Sequence, residues 1–227
     1  MHKKIWVYGQ PFSGKTTLAT GSAKHFVLNT DGNAQYSTDS YKLLTDEVTM
    51  RGRITDRKFA WAIFKEEIEK LEANMPYDVV VLDLLEDTYE MCRLYMYDKL
   101  KITHESDDSF RAWDKVRTEY LSTIRRFMNL PCDIVLISHE DTTKDITKRS
   151  GENITSIKPN MTDKVANKIA GMCTLVGRAV VEDGKYTFQT KTDEVIFGGG
   201  RLGLPNTTIP LDWKELTKMF DEAMKRK

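Results

Sequence analysis

The sequence has no surplus of charge of either sign: 34 Lys+Arg stand against 34 Asp+Glu in 227 residues, a formal net charge of zero. That balance excludes a histone-like or polybasic coat protein, because phosphate backbones are held by excess positive charge. Any nucleic-acid site has to be a local basic strip. Long apolar runs are also missing. No stretch approaches the roughly 18 consecutive apolar residues of a membrane span. Before its first glycine the N-terminus offers only the apolar run Ile5-Trp6-Val7-Tyr8, too short for the core of a signal peptide. Cysteine is scarce: Cys92, Cys132 and Cys173 are odd in number, far apart and never in a CxxC pair. A disulfide framework and a zinc site are therefore not expected, and the thiols read as reduced and mostly buried. No internal repeat or low-complexity linker interrupts the chain. These absences point to an intracellular, cytoplasmic protein. With 40% apolar and 30% charged residues, its length suits one main core with an attached subdomain.

The strongest positive signal lies at the start. Gly9-Gln10-Pro11-Phe12-Ser13-Gly14-Lys15-Thr16 is a complete match to the phosphate-loop pattern GxxxxGK[ST]. Its context fits the mechanism. Lys4-Ile5-Trp6-Val7-Tyr8 is a β-favouring run that can feed the loop, and Thr16-Thr17-Leu18-Ala19-Thr20, with Ala23 and Lys24, can start a helix after it. Gly9 and Gly14 allow the tight turn that makes successive backbone N–H groups converge on phosphate oxygens. The helix points its positive end at the same anion. Lys15 is expected on the β- and γ-phosphates, the Thr16 hydroxyl on Mg²⁺, and Thr17 at the α-phosphate of a bound ATP. A chance glycine turn before a helix is the competing reading.

A second element supports the first. Asp78-Val79-Val80-Val81-Leu82-Asp83 is a continuous apolar strand, of the kind buried on both faces in a parallel sheet, and it ends in a carboxylate. Ligands of open α/β sheets bind at that end of the strands. Asp83 therefore reads as the partner of the Mg²⁺ site, the Walker B role, against the alternative of a simple helix cap. Glu86 follows three residues later; it reads either as a residue that orients the attacking water or as a solvated first-turn glutamate.

Elsewhere strands and helices alternate. His25–Asn29 reads as a strand leading to Thr30-Asp31-Gly32-Asn33, so Asp31 is another carboxylate at a strand's end. Residues 56–73 read as a helix with Thr55 as its cap, because Trp61, Phe64, Ile68 and Leu71 recur at helical steps. Residues 86–100 and 109–129 read as two more helices around a polar loop. Asp133–His139 reads as a buried strand with a polar tip. This alternation predicts an α/β fold with a mostly parallel sheet flanked by helices. After His139 the pattern changes: residues 141–160 are polar, 161–171 read as a short helix, and 174–182 and 185–191 flank Asp183-Gly184, a hairpin signal. Gly198–Pro205 reads as a flexible loop, and Asp212 as the cap of a terminal helix over 213–226. The expected organisation is a nucleotide-binding core over 1–140, a loop and antiparallel hairpin extension over 141–211, and a helix over 212–227.

The chain resembles the compact RecA-like ATPases encoded by phages, single-strand annealing recombinases also described as AAA-type domains. The resemblance is carried by Gly9–Thr17, by Thr30-Asp31-Gly32, by Tyr77–Asp83, and by Ile134–Glu140 with its Ile-Ser-His-Glu ending. Asp163–Arg178 with the hairpin, and Lys191 leading to Gly200-Arg201-Leu202-Gly203-Leu204-Pro205, extend it over most of the chain. The N-terminal motifs are shared by many ATPases, and only the C-terminal half is distinctive. The resemblance implies a RecA-like P-loop fold and an ATPase using ATP and Mg²⁺. It implies that Asp31 orients the attacking water, in competition with Glu86, although RecA itself uses the longer glutamate. It implies that His139, where RecA has glutamine, senses the γ-phosphate, against the alternative of a structural histidine.

The same resemblance puts a single-stranded DNA path in the segment after His139. Lys144, Lys148, Arg149 and Lys158 would contact phosphates there, without a base-stacking aromatic between 140 and 160. Asp141, Asp145 and Glu152 dilute that charge, so a solvated hairpin is the other reading. Lys191 and Arg201 fall where recombinase-type ATPases offer cations to a neighbouring subunit's nucleotide, which implies a homo-oligomer, filament or ring. No segment stands before the first strand to supply a RecA-style N-terminal oligomerisation domain. A single-strand DNA-binding protein is an additional implied partner. Two other classes share the motifs: a nucleoside or nucleotide kinase, although only Lys148-Arg149 stands where an arginine-rich lid is expected, and a nucleotide-gated switch with little turnover.

Overall fold

A computed structural model describes residues 2–22, 24–102, 109–143, 145–147, 151–190, 192–193, 195–201 and 207–225. The first half contains β1 (Lys4–Gly9), α1 (Lys15–Ala19), β2 (His25–Asn29), β3 (Tyr41–Leu43), β4 (Glu47–Arg51), β5 (Ile54–Lys58), α2 (Ala60–Ala73), β6 (Val79–Asp83) and α3 (Leu85–Leu100). The second half contains α4 (Ser109–Met128), β7 (Asp133–Asp141), β8 (Asp145–Thr147), β9 (Asn153–Thr155), β10 (Lys158–Pro159) and α5 (Asp163–Ala170). It ends with β11 (Leu175–Glu182), β12 (Lys185–Gln189), β13 (Gly199–Gly200), β14 (Thr208–Pro210) and α6 (Trp213–Lys225). The main sheet runs β14-β12-β11-β1-β7-β6-β2-β3. From β3 to β11 every neighbouring pair is parallel, and β12 and β14 add antiparallel strands at the other edge.

The strands in the centre are apolar on both sides because both faces are covered. On one face Trp6, Tyr8, Leu28, Val80, Leu82, Ile134 and Leu136 meet side chains of α2, α3, α4 and α5. On the other Ile5, Val7, Val27, Val81, Val135 and Ile137 meet Leu18 and Ala19 of α1 and Leu216, Met219 and Phe220 of α6. The helical period seen in the sequence is the buried stripe of α2: Trp61, Phe64 and Ile68 are fully buried, and Trp61 stacks on Tyr120 of α4 at 5.5 Å. Each such side chain contributes roughly 1.5–3 kcal/mol by leaving water. All three cysteines are free and buried, and burial raises each thiol, Cys132 and Cys173 to about 12.

Several expectations need correction. Thr55 is not a helix cap. Residues 54–58 pair with 47–51 as an antiparallel hairpin, and α2 begins at Ala60, where the apolar period starts. The helix after the phosphate loop is only five residues long and stops at Ala19, so it does not reach Lys24. The strand β11 pairs in parallel with β1, so the first strand of the predicted hairpin belongs to the parallel core, beyond residue 140. Gly199–Gly200 pairs with Val176 and Leu175, which ties the start of the glycine loop to the sheet. The Asp183-Gly184 turn does form, with φ of 50° and 73° as a tight hairpin requires. Lys144, Lys148, Arg149 and Lys191 lie outside the described residues.

The β11–β12 contact leaves no room for a side chain at Gly177. A Cβ on Gly177 would stand 2.3 Å from Cζ of the fully buried Phe188 and 2.8 Å from the Gln189 carbonyl. Gly177→Ala is expected to lose about 1–3 kcal/mol, the usual cost of overpacking. The measurement is the midpoint of a urea unfolding curve.

Candidate nucleotide site

The C-terminal ends of the parallel strands converge on one edge. In register, Gly9 of β1 lies beside His139 of β7 on one side and Ala179 of β11 on the other. Asp83 of β6 lies beside Ile137 of β7 and Asn29 of β2. The loop from Gly9 to Thr16 rises from this edge. A Cβ on Gly9 would come within 2.4 Å of the Ala179 carbonyl oxygen, so the close approach of β11 leaves room only for glycine there. Gly14 has a φ of +79°, the left-handed region that glycine enters freely. Ser13 and Lys15 are buried, whereas Pro11, Phe12 and Thr17 are exposed, and Phe12 also has a positive φ of 63°. Because α1 is so short, the first free N–H groups of the loop and helix matter here more than an extended helix dipole.

Lys15 is folded onto its own loop. Its Nζ donates to the Gly9 carbonyl at 3.0 Å, the Gln10 carbonyl at 2.7 Å and Ser13 Oγ at 3.4 Å. Burial lowers its pKa, opposed by the negative charges of Asp83, Glu86, Glu140 and Asp31. Asp83, Glu86 and Asp31, all predicted, and Glu140, which is not, therefore lie within electrostatic reach of one ammonium. Thr16 Oγ1 donates to Asp83 Oδ2 at 2.8 Å, which joins the two motifs directly. Asp83 is 4% exposed, and burial pushes its pKa up from 3.8 to about 6, aided by the charges of Asp31 and Glu86 and opposed by the Thr16 bond and Lys15. A hydroxyl and a desolvated carboxylate at this spacing are the hard oxygen donors that suit Mg²⁺. No cluster of three or more His, Cys, Asp or Glu side chains suited to a metal occurs among the described residues. An ion here would take its remaining oxygens from phosphates and water, as Mg²⁺ commonly does.

The two candidates for orienting water differ in their surroundings. Burial would raise the pKa of Asp31, but the Asn33 N–H and the amides of Asn29 and Asn33 outweigh it and hold the carboxyl low. Both of its oxygens are taken by these turn contacts. Glu86 is held by one oxygen only: Oε1 accepts the His139 N–H at 2.8 Å and lies 3.0 Å from His139 Nδ1. Its other oxygen, Oε2, is buried and has no hydrogen-bond partner among the described residues.

An unexpected network ties the loop to the sheet. Glu140, its side chain almost fully buried, accepts Arg178 Nε at 2.7 Å, Arg178 Nη2 at 3.0 Å and the Gln10 amide at 2.6 Å. Burial would raise the Glu140 pKa, but these donors outweigh it and keep the group ionised. Glu140 and Arg178 sit two strands apart and meet because β1 has already turned away at Gly9. No motif singles out this pair; the only sequence signal is a carboxylate one residue past the polar tip of a buried strand. Glu140 and Asp141 also pair with Pro159 and Lys158 of β10, and the Asn160 N–H donates to the His139 carbonyl at 2.8 Å. The remaining predicted cations are engaged within the chain. Lys158 Nζ is 2.5 Å from Asp163 Oδ1. The Arg201 guanidinium donates to the Cys173 and Gly171 carbonyls at the end of α5.

The raised Asp83 pKa has a definite sign. The folded state binds this proton more tightly than the unfolded chain, so its stabilising effect is full below about pH 4 and is lost as pH rises through about 6. Asp83→Asn removes the buried charge and is expected to be more stable than wild type at pH 7.5 by up to about 3 kcal/mol. That difference should vanish by pH 4, as read from thermal unfolding at the two pH values.

The family profile described as AAA domain matches residues 1–202. A search of curated proteins returns no match. No helix among the described residues is long and apolar enough to cross a membrane.

Proposed function

Because the chain belongs to the AAA-domain family, and so carries a nucleotide-binding phosphate-loop ATPase domain, we propose that it hydrolyses ATP under the control of single-stranded DNA and promotes annealing or recombination of such strands. The observation that carries the hydrolytic part is Glu86. A carboxylate anchored through one oxygen by His139, with its second oxygen buried and without a hydrogen-bond partner among the described residues, has one oxygen left to act as a base. It lies within electrostatic reach of Lys15, which would neutralise the transferred phosphoryl group. Thr16 and Asp83 would hold Mg²⁺, which supplies charge neutralisation at the β- and γ-phosphate oxygens. Asp31, with its oxygens committed to the Asn29 and Asn33 turn, then shapes the loop and leaves the water to Glu86.

The DNA-dependent part is supported by the connection from the site to the segment after it. The carbonyl of His139 and both residues beyond it are hydrogen-bonded or paired to residues 158–160, so a shift at the phosphates moves the base of that loop. Gln10 passes the same displacement through Glu140 to Arg178. The reading includes several copies acting side by side, since a chain of zero net charge needs repeated basic strips to follow a strand.

The decisive measurement is steady-state ATP turnover with and without single-stranded DNA. Turnover is expected to rise with DNA and to disappear in Lys15→Ala. Glu86→Gln should keep ATP binding and lose roughly 100-fold or more in turnover, the scale of a lost general base, whereas Asp31→Asn should lose far less. Turnover indifferent to DNA, together with phosphorylation of a nucleoside, would overturn this reading in favour of a small-molecule kinase.

A further inference from the structure

The β4–β5 hairpin stands apart from everything described so far. It forms its own two-stranded sheet, and every residue of both strands is exposed. Its base is fastened. Asp46 accepts Arg57 Nε and the Ala60 N–H, each at 2.7 Å, Lys58 pairs with Glu66 at 2.6 Å, and the Arg57 guanidinium sits 4.6 Å over the Phe59 ring. Its tip is open: a Cβ on Gly52 would meet nothing within 4 Å. Five-residue strands reach about 15 Å from such a base. The hairpin follows β3, whose C-terminal end lies on the same sheet edge as the phosphate loop.

The composition of the tip selects a partner. Arg51 and Arg53 flank Gly52, and no acid pairs with either among the described residues. Met50 is 75% and Ile54 71% exposed, and because Met50 faces Thr55 and Ile54 faces Arg51, they project from opposite faces of the ribbon. Isolated hairpins and exposed apolar strands are poor investments for stability and invite aggregation. Cations beside exposed apolar side chains suit a single strand, whose backbone is held by charge and whose unstacked bases expose apolar faces. The acids of the hairpin, Glu47 and Asp56, lie back from the turn opposite Lys58 and Thr49, so the tip itself is cationic.

We propose that this hairpin is an arm that grips single-stranded DNA, with Arg51 and Arg53 on phosphates and Met50 and Ile54 against unstacked bases. The proposal rests on the single-strand reading above and assigns it a surface that the loop after His139 does not include. A strand held here would run from the phosphate-loop edge past β3.

The test uses the whole protein with ATP and a fluorescently labelled oligo-dT, titrated across a salt series. Arg51→Ala/Arg53→Ala is expected to weaken binding roughly tenfold and to make the salt slope shallower by about 1.4, the loss of two single-strand phosphate contacts. Met50→Ala/Ile54→Ala should weaken binding with the slope unchanged, because it removes no charge. Both variants should melt at the wild-type temperature, since the side chains are exposed. If wild type does not bind oligo-dT, the arm and the single-strand reading fall together. If wild type binds and both variants keep its affinity and slope, the arm is overturned and the reading stands. Variants that change sedimentation of the DNA-free protein and leave DNA binding intact would make the arm a contact between copies of this chain, which also overturns the proposal.

Discussion

The hydrogen bond from Thr16 to Asp83 spans the space between the phosphate loop and the strand two places away, and the rest of the site is arranged around it. It satisfies a carboxylate that the sheet has almost sealed from water. Next to it Lys15 is likewise sealed, and takes the oxygens of its own loop. Two opposite charges kept in a dry pocket raise the energy of the protein and lower that of an ionic ligand, which arrives with charges of its own. The instability of Asp83 and its suitability for a cation are therefore one property seen from two sides.

The intervening strand β7 connects this pocket to the residues beyond it. Its tip supplies His139 to Glu86 and Glu140 to Gln10, then continues into residues pairing with β10. Its central residues are fully buried, and its last three, from His139 to Asp141, are half-buried.

What could be read from the chain depended on whether the information was local. The phosphate loop, the apolar strand before Asp83 and the Asp183-Gly184 turn each carry their geometry in consecutive residues, and all form. Asp31 is half legible: its position at a strand end is clear, and the flanking Asn29 and Asn33 that consume its oxygens are a turn signature open to a closer reading. The β4–β5 hairpin is hidden because a ribbon with no buried face leaves no clean alternation, and the helical stripe of α2 draws Thr55 into the wrong element. The Glu140–Arg178 pair is hidden for another reason. It exists only because β1 is inserted between β7 and β11, and strand order is not a periodicity.

That insertion also bears on how the protein comes into being. The loop motif is complete by residue 16, yet the floor beneath Gly9 is the carbonyl of Ala179. During synthesis at about 5–20 residues per second, the motif leaves the ribosome on the order of ten seconds before its floor does. Over that interval β1 lacks the β11 neighbour on which Gly9 rests, and closing the gap joins residues that are far apart in the chain, a slow kind of contact to make. The order of synthesis is thus the reverse of the order of support: the phosphate loop is made before the strand it rests on, and a chain stopped short of β11 carries the motif without the carbonyl beneath Gly9.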